Sequence, residues 1–307
     1  MKNGEYDMKY LMLLVMSSTL LFGCSNMDNN IVKPNPETVV EIDVNEENEL
    51  VDEPYTIINA DQMTLNKRVN TPEGSERVTV DEASFSHYLR TLPLKEHNAK
   101  VRYYDGSIKE NIGVYEAVVD MDIGTRNLQQ CADAIIRLRG EYLFNNEDYE
   151  EIHFNLTNGF RVDYSKWIKG NRVMVEGNNT YWKNTAKASN TYADFRKYMT
   201  FVFTYAGTLS LEQELTPIAI ENMKIGDVFI KGGSPGHAVI VVDMAKNLTN
   251  GEKYYMLAQS YMPAQDIQIL KNPSNSDISP WYVLDKDEEL VRTPEWRFTK
   301  YNLKRFQ

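Results

Sequence analysis

Gly226-Asp227-Val228-Phe229-Ile230, Lys231-Gly232-Gly233-Ser234-Pro235-Gly236 and His237-Ala238-Val239-Ile240-Val241-Val242-Asp243 form the continuous stretch from which the fold is read. Two apolar runs flank a loop rich in Gly, Ser and Pro, the pattern of two strands joined by a turn. The loop delivers His237 at the mouth of the second strand. A neutral imidazole there, with a thiol beside it, is what a cysteine hydrolase needs as base and later as acid. Standing alone, the same histidine reads as a capping or packing residue.

Working outward, strands are predicted over 254–260 and 281–284, so the C-terminal half is a series of strands. Upstream, apolar residues recur at helical spacing over 85–92, 128–144 and 192–206. Shorter strands are predicted at 101–104, before the Asp105-Gly106 turn, and at 112–122. The stretch 154–182 reads as turns and short strands. Helices first and strands later predict an α+β domain with helices packed on an antiparallel sheet.

The second chemical landmark is Asn127-Leu128-Gln129-Gln130-Cys131. Asn127 can cap the helix and Gln130 can reciprocate, which puts Cys131 in the first helical turn. The helix dipole and unpaired N–H groups there favour a thiolate, the nucleophilic form. The competing reading is packing, because Cys131 lies on the stripe Leu128, Cys131, Ile135, Leu138, Tyr142.

Taken together, the two landmarks resemble the NlpC-type cell-wall cysteine peptidases and amidases of the papain-like superfamily. The matching pieces are Cys131 at a helix start, Gly226-Asp227-Val228, His237-Ala238-Val239, and a following strand through Gln259. The resemblance implies a papain-like fold, Cys131 as nucleophile, His237 as general base and a neutral polar residue that orients it. The Asp-Cys-Ser usual at the nucleophile is Gln130-Cys131-Ala132 here. The phrases Leu128-Gln129-Gln130-Cys131-Ala132-Asp133 and Ala258-Gln259-Ser260-Tyr261-Met262-Pro263-Ala264-Gln265 also resemble a family of bacterial lipoproteins of unknown function.

Strand geometry narrows the orienting residue. Asp243 shares a face with His237, but six strand residues separate them by ~20 Å, beyond hydrogen-bond reach. A hairpin centred near residue 248 pairs His237 with Gln259; a shift of the centre moves the partner to Ser260 or Tyr261. Two rival readings remain. Asp120 and Asp122, on one face of a predicted strand and ~7 Å apart, suit a carboxylate-pair hydrolase. A non-catalytic binding lipoprotein on the same fold would use Trp167, Trp182, Trp281 and Tyr282 in a groove.

The N-terminus predicts the compartment. Lys2 and Lys9, the apolar run 11–16, small residues, and Leu21-Phe22-Gly23-Cys24 read as a lipoprotein signal peptide over 1–23 with lipid-modified Cys24. Its apolar stretch is shorter than the ~20 residues of a bilayer span. A tether over 24–55 follows, and between Glu37 and Glu53 it holds eight acidic residues and no basic one. Such a composition cannot order itself. The tether accounts for most of the net charge of −11, and without a basic stripe the chain offers nucleic acid no footprint. Residues 56–307 are predicted to form a single domain. Cys131 is then the only thiol besides Cys24, and the four scattered histidines have no metal-ligand spacing; no cofactor or metal is expected. The expectation is an extracytoplasmic protein lipid-anchored in the cell or outer membrane, with the membrane and cell-wall peptide as partners.

Overall fold

An apolar run as long as the one that starts at Ala238 has to be covered on both faces, and the architecture is built around that need. The computed structural model describes residues 55–307 apart from residue 178. The signal peptide, Cys24 and all but the last residue of the predicted tether lie outside the described residues. The described residues belong to one compact unit.

The sheet strands are β1 (Ser75–Arg77), β2 (Tyr115–Val118), β3 (Thr216–Pro217), β4 (Val228–Lys231), β5 (His237–Asn247), β6 (Lys253–Gln259), β7 (Gln268–Leu270), β8 (Tyr282–Val283) and β9 (Leu303–Arg305). They pair antiparallel in the order β2-β7-β6-β5-β4-β9-β3, with β1 added to β5 and β8 to β6. In β5 every residue from His237 to Ala245 is buried. Helices α1 (Phe85–Arg90) and α2 (Cys131–Asn145) pack on it. A hairpin of Leu290–Arg292 with Arg297–Thr299 brings buried Phe298 to 5.9 Å from the rings of both Phe229 and His237. Helix α3 (Tyr192–Tyr205) packs on α2, and α4 (Thr208–Glu214) on β4. The protein is therefore α+β, with helices against an antiparallel sheet, as its periodicities predict. No helix among the described residues is long and apolar enough to cross a membrane.

Several local expectations need correction. The helix predicted from 128 begins at Cys131, because the Leu128 and Gln130 N–H groups close tight turns onto Arg126 and Leu128 carbonyls at 2.8 and 2.7 Å. Its cap is Gln130, whose N–H donates to Asp133 Oδ2 at 3.1 Å; Asn127 instead accepts from Gln130 Nε2 and from the Ala264 N–H. The strand predicted over 112–122 opens as a 3-10 turn, Ile112–Val114, and ends at Val118. Asp120 and Asp122 consequently sit exposed in a loop, without the strand spacing a carboxylate pair required. Residues 101–104 form only isolated bridges. The stretch 154–182 resolves into the hairpin His153–Asn155/Arg161–Asp163, the short helix Tyr164–Trp167 and the start of the hairpin Asn171–Glu176/Asn179–Asn184. Trp167 and Trp281 are buried core, Trp182 is half-buried, and Tyr282, though buried, lines a cavity with Tyr255 and Asn272, so the four aromatics do not share one groove.

Farther along β5 from His237, Asp243 is fully buried and accepts from Arg90 Nε at 2.6 Å and Arg77 Nε at 2.7 Å. It also accepts from the Met244 N–H at 2.8 Å. This cluster joins α1 and β1 to β5, which explains why a carboxylate sits in an apolar strand. Removing one partner of a buried pair strands the other charge. Asp243→Asn is expected to lower the unfolding free energy in urea by about 3–5 kcal/mol. A loss below about 1 kcal/mol would mean the arginines are solvated like surface pairs.

Candidate active site

The loop before His237 is held close to α4. In Gly236 a Cβ would collide with the Gly233 carbonyl oxygen and stand 2.8 Å from that of Lys231, and Gly233 has φ +101°. Only glycine fits such a turn, so the loop sequence fixes how the chain enters β5. Across from it, α2 starts with Cys131. The half-buried thiol and His237 line one cavity of about 400 Å³, with Gln130, Asp133, Thr208, Tyr261 and Trp296 also in its wall. The backbone N–H of Ala238, next after His237, lies near enough to the thiol to favour its ionised form. Cys131 and His237, distant in sequence, thus share one site.

His237 Nε2 lies 2.9 Å from Gln259 Oε1. Which amide atom faces the ring follows from the far side: Gln259 Nε2 donates to Glu295 Oε2 at 2.7 Å. The amide oxygen is left for His237, so Nε2 carries the proton and donates, and Nδ1 keeps its lone pair. Glu295 Oε2 also accepts from buried Lys109 Nζ at 2.7 Å, which in turn donates to Gln265 Oε1 at 3.1 Å. An acceptor chain anchored by an ammonium therefore sets the imidazole tautomer.

Gln259 reaches His237 by a register different from the one expected. β5 and β6 pair Ala258 with Ile240 after a bulge between Met256 and Leu257. Continued, that register sets Tyr261 opposite His237, and their rings are 4.7 Å apart. Gln259 is the diagonal neighbour, two positions back, and its length spans the gap. Trp296, 5.3 Å from the His237 ring, closes another side.

Electrostatics modify the thiolate expectation. Burial pushes the Cys131 thiol up to about 11, and the Asp133 charge adds to this; N–H groups of Ala132, Ala238 and Cys131 act downward but lose. Burial lowers His237 to about 4, with the Gln259 bond opposing and Lys109 reinforcing. The resting pair is thiol and neutral imidazole.

Sequence reasoning missed Lys109, Asp133, Glu295 and Trp296. A signal existed for two of them: Leu290-Val291-Arg292 and Arg297-Phe298-Thr299 flank Thr293-Pro294, a turn pattern that makes a hairpin and carries Glu295 and Trp296 at its tip. Lys109 gave no signal, because its partners lie far along the chain. Among the described residues no cluster of three or more His, Cys, Asp or Glu side chains could hold a metal ion.

No curated protein and no solved structure matches the chain. A family model does, over residues 65–305, a span that includes Cys131, His237, Gln259 and Glu295. The chain belongs to the family described as Domain of unknown function (4846).

Proposed function

We propose that this is an extracytoplasmic lipoprotein, anchored through Cys24, whose domain is a papain-like cysteine amide hydrolase acting on cell-wall peptide or a related amide. The observation that carries the reading is the 2.9 Å bond from His237 Nε2 to Gln259 Oε1 at the wall shared with Cys131. It leaves Nδ1 as the basic nitrogen.

In this reading His237 Nδ1 takes the Cys131 proton as sulfur attacks the amide carbonyl carbon. The N–H groups that open α2 face the oxyanion of the tetrahedral intermediate. As the C–N bond breaks, His237 returns the proton to the leaving amine, and a thioester remains on Cys131. Water, deprotonated by His237, then attacks the thioester; the acid leaves and the thiol recovers its proton. Because the resting pair is neutral, proton transfer accompanies attack instead of preceding it. One observation favours a second reading, a non-catalytic binding lipoprotein on the same fold: a thiol held near 11 is not a preformed nucleophile.

Three outcomes test this. Cys131→Ser is expected to abolish release of soluble muropeptides from peptidoglycan while the fold persists, because Ser keeps the shape but not the readily formed anion. Undiminished release would refute the nucleophile, and loss of folding without any wild-type activity would assign Cys131 to packing.

In nitrogen-15 NMR, His237 is expected as the Nε2–H tautomer with a titration midpoint near pH 4. The sign follows from linkage: the folded imidazole resists the proton, so stability present above about pH 6.5 is lost as pH falls toward 4. Glu295→Leu should release the Gln259 amide to flip and mix the tautomers. A midpoint near 6.5, or an unchanged tautomer in the variant, would contradict the chain of hydrogen bonds.

The anchor is tested by metabolic labelling with a fatty-acid probe. Wild type should incorporate it and Cys24→Ala should not; an unlabelled wild type rules lipidation out.

A further inference from the structure

The hydrolytic steps leave Asp133, in the cavity wall, without a task. Asp133 is only 6% exposed, and its Oδ2 accepts the Gln130 N–H at 3.1 Å. Its other oxygen, Oδ1, is buried and has no hydrogen-bond partner. Buried polar atoms are nearly always paired, and the exceptions call for an explanation. Capping of α2 explains Oδ2 alone.

The remaining wall sharpens the question. Among the described residues that line the cavity, Asp133 is the sole carboxylic acid, and no lysine or arginine is present. The cation in the hydrogen-bond network beside His237, Lys109, is held by Glu295 and stands 5.7 Å from the Tyr261 ring centroid. The cavity wall therefore holds one carboxyl, with an unmet oxygen just beneath its surface, and no side-chain cation for an anion to pair with. Burial raises the Asp133 carboxyl to about 8, so a cation arriving beside it would find a group it can ionise and pair with.

We infer that the cavity selects substrates carrying an ammonium group beside the scissile amide, with Asp133 as its counter-ion. The inference rests on Cys131 being the nucleophile of that cavity. Asp133 lines the same cavity as Cys131 and its charge acts on the thiol, so the paired charge would sit near the attacked carbonyl. An anionic group in the same place would find no ammonium or guanidinium to pair with among the described residues of the wall, so the site discriminates by charge.

Three small thiol reagents test this without knowledge of the substrate: 2-aminoethyl, methyl and 2-sulfonatoethyl methanethiosulfonate, which are cationic, neutral and anionic. Each forms a mixed disulfide as the cysteine sulfur attacks the sulfenyl sulfur and expels methanesulfinate. Rates at Cys131 in the full chain, with adducts mapped by peptide mass spectrometry, are divided by those with 2-mercaptoethanol. The cationic reagent is expected to outrun the anionic one by about tenfold or more after this correction. Asp133→Asn keeps an acceptor for the Gln130 N–H and removes the charge; it should bring the ratio to within about twofold. Asp133→Ser, also uncharged, repeats the comparison should the first variant misfold.

Labelling by the neutral reagent with no charge preference, or a preference that survives both variants, overturns the ammonium site and leaves the nucleophile standing. A Cys131 that no reagent labels overturns both.

Discussion

β5 is buried along nine consecutive residues, from His237 to Ala245, and a strand so placed must have neighbours on both edges and cover on both faces. The rest of the molecule answers that requirement. β4 and β6 pair with its edges, α1 and α2 pack on it, and the Leu290–Arg292/Arg297–Thr299 hairpin adds Phe298. Those same covering elements supply the site: α2 contributes Cys131 and Asp133, β6 contributes Gln259, and the hairpin tip contributes Glu295 and Trp296. Packing and chemistry share a cause, because the first residue of the buried strand is His237.

Much of this was legible in the sequence, unevenly and for physical reasons. Runs such as Val239-Ile240-Val241-Val242 announce a buried strand by composition, and the observed β4, β5 and β6 follow them closely. The glycines of Lys231–Gly236 announced a special backbone, which Gly233 and Gly236 show. Gln259 could be picked out, but on a pairing that puts it directly across from His237. The hairpin pairs Lys246 with Lys253, centred beyond residue 248, and the bulge between Met256 and Leu257 takes back only one position, so Tyr261 stands across; nothing local in these residues declares it. Helical periodicity over 128–144 likewise could not reveal that the carboxylate of Asp133 takes the Gln130 N–H and starts the helix at Cys131. Lys109 and Glu295 meet across 186 residues of chain, where pattern has no reach.

The site's electrostatics are those of a sheltered place. A thiol at a helix start would ionise easily in water-exposed surroundings, yet here loss of solvent outweighs three N–H groups. The same loss keeps His237 neutral and Asp133 partly protonated. Glu295, by contrast, is shared by Lys109 and Gln259, so the charged pair lies behind the imidazole and the reacting groups in front of it are neutral. Such an arrangement spends its fixed charge on orientation. It assigns to the arriving substrate the part of excluding water and completing the charge balance around Cys131.

The central claim is that Cys131 and His237 act as one nucleophilic unit. It is tested most directly by exposing the protein to p-nitrophenyl acetate, quenching in acid and locating acetyl groups by peptide mass spectrometry. The account predicts a transient acetyl thioester on Cys131 that accumulates and decays, and that is lost in His237→Ala. No acetyl on Cys131, or the same amount formed without the imidazole, would contradict it.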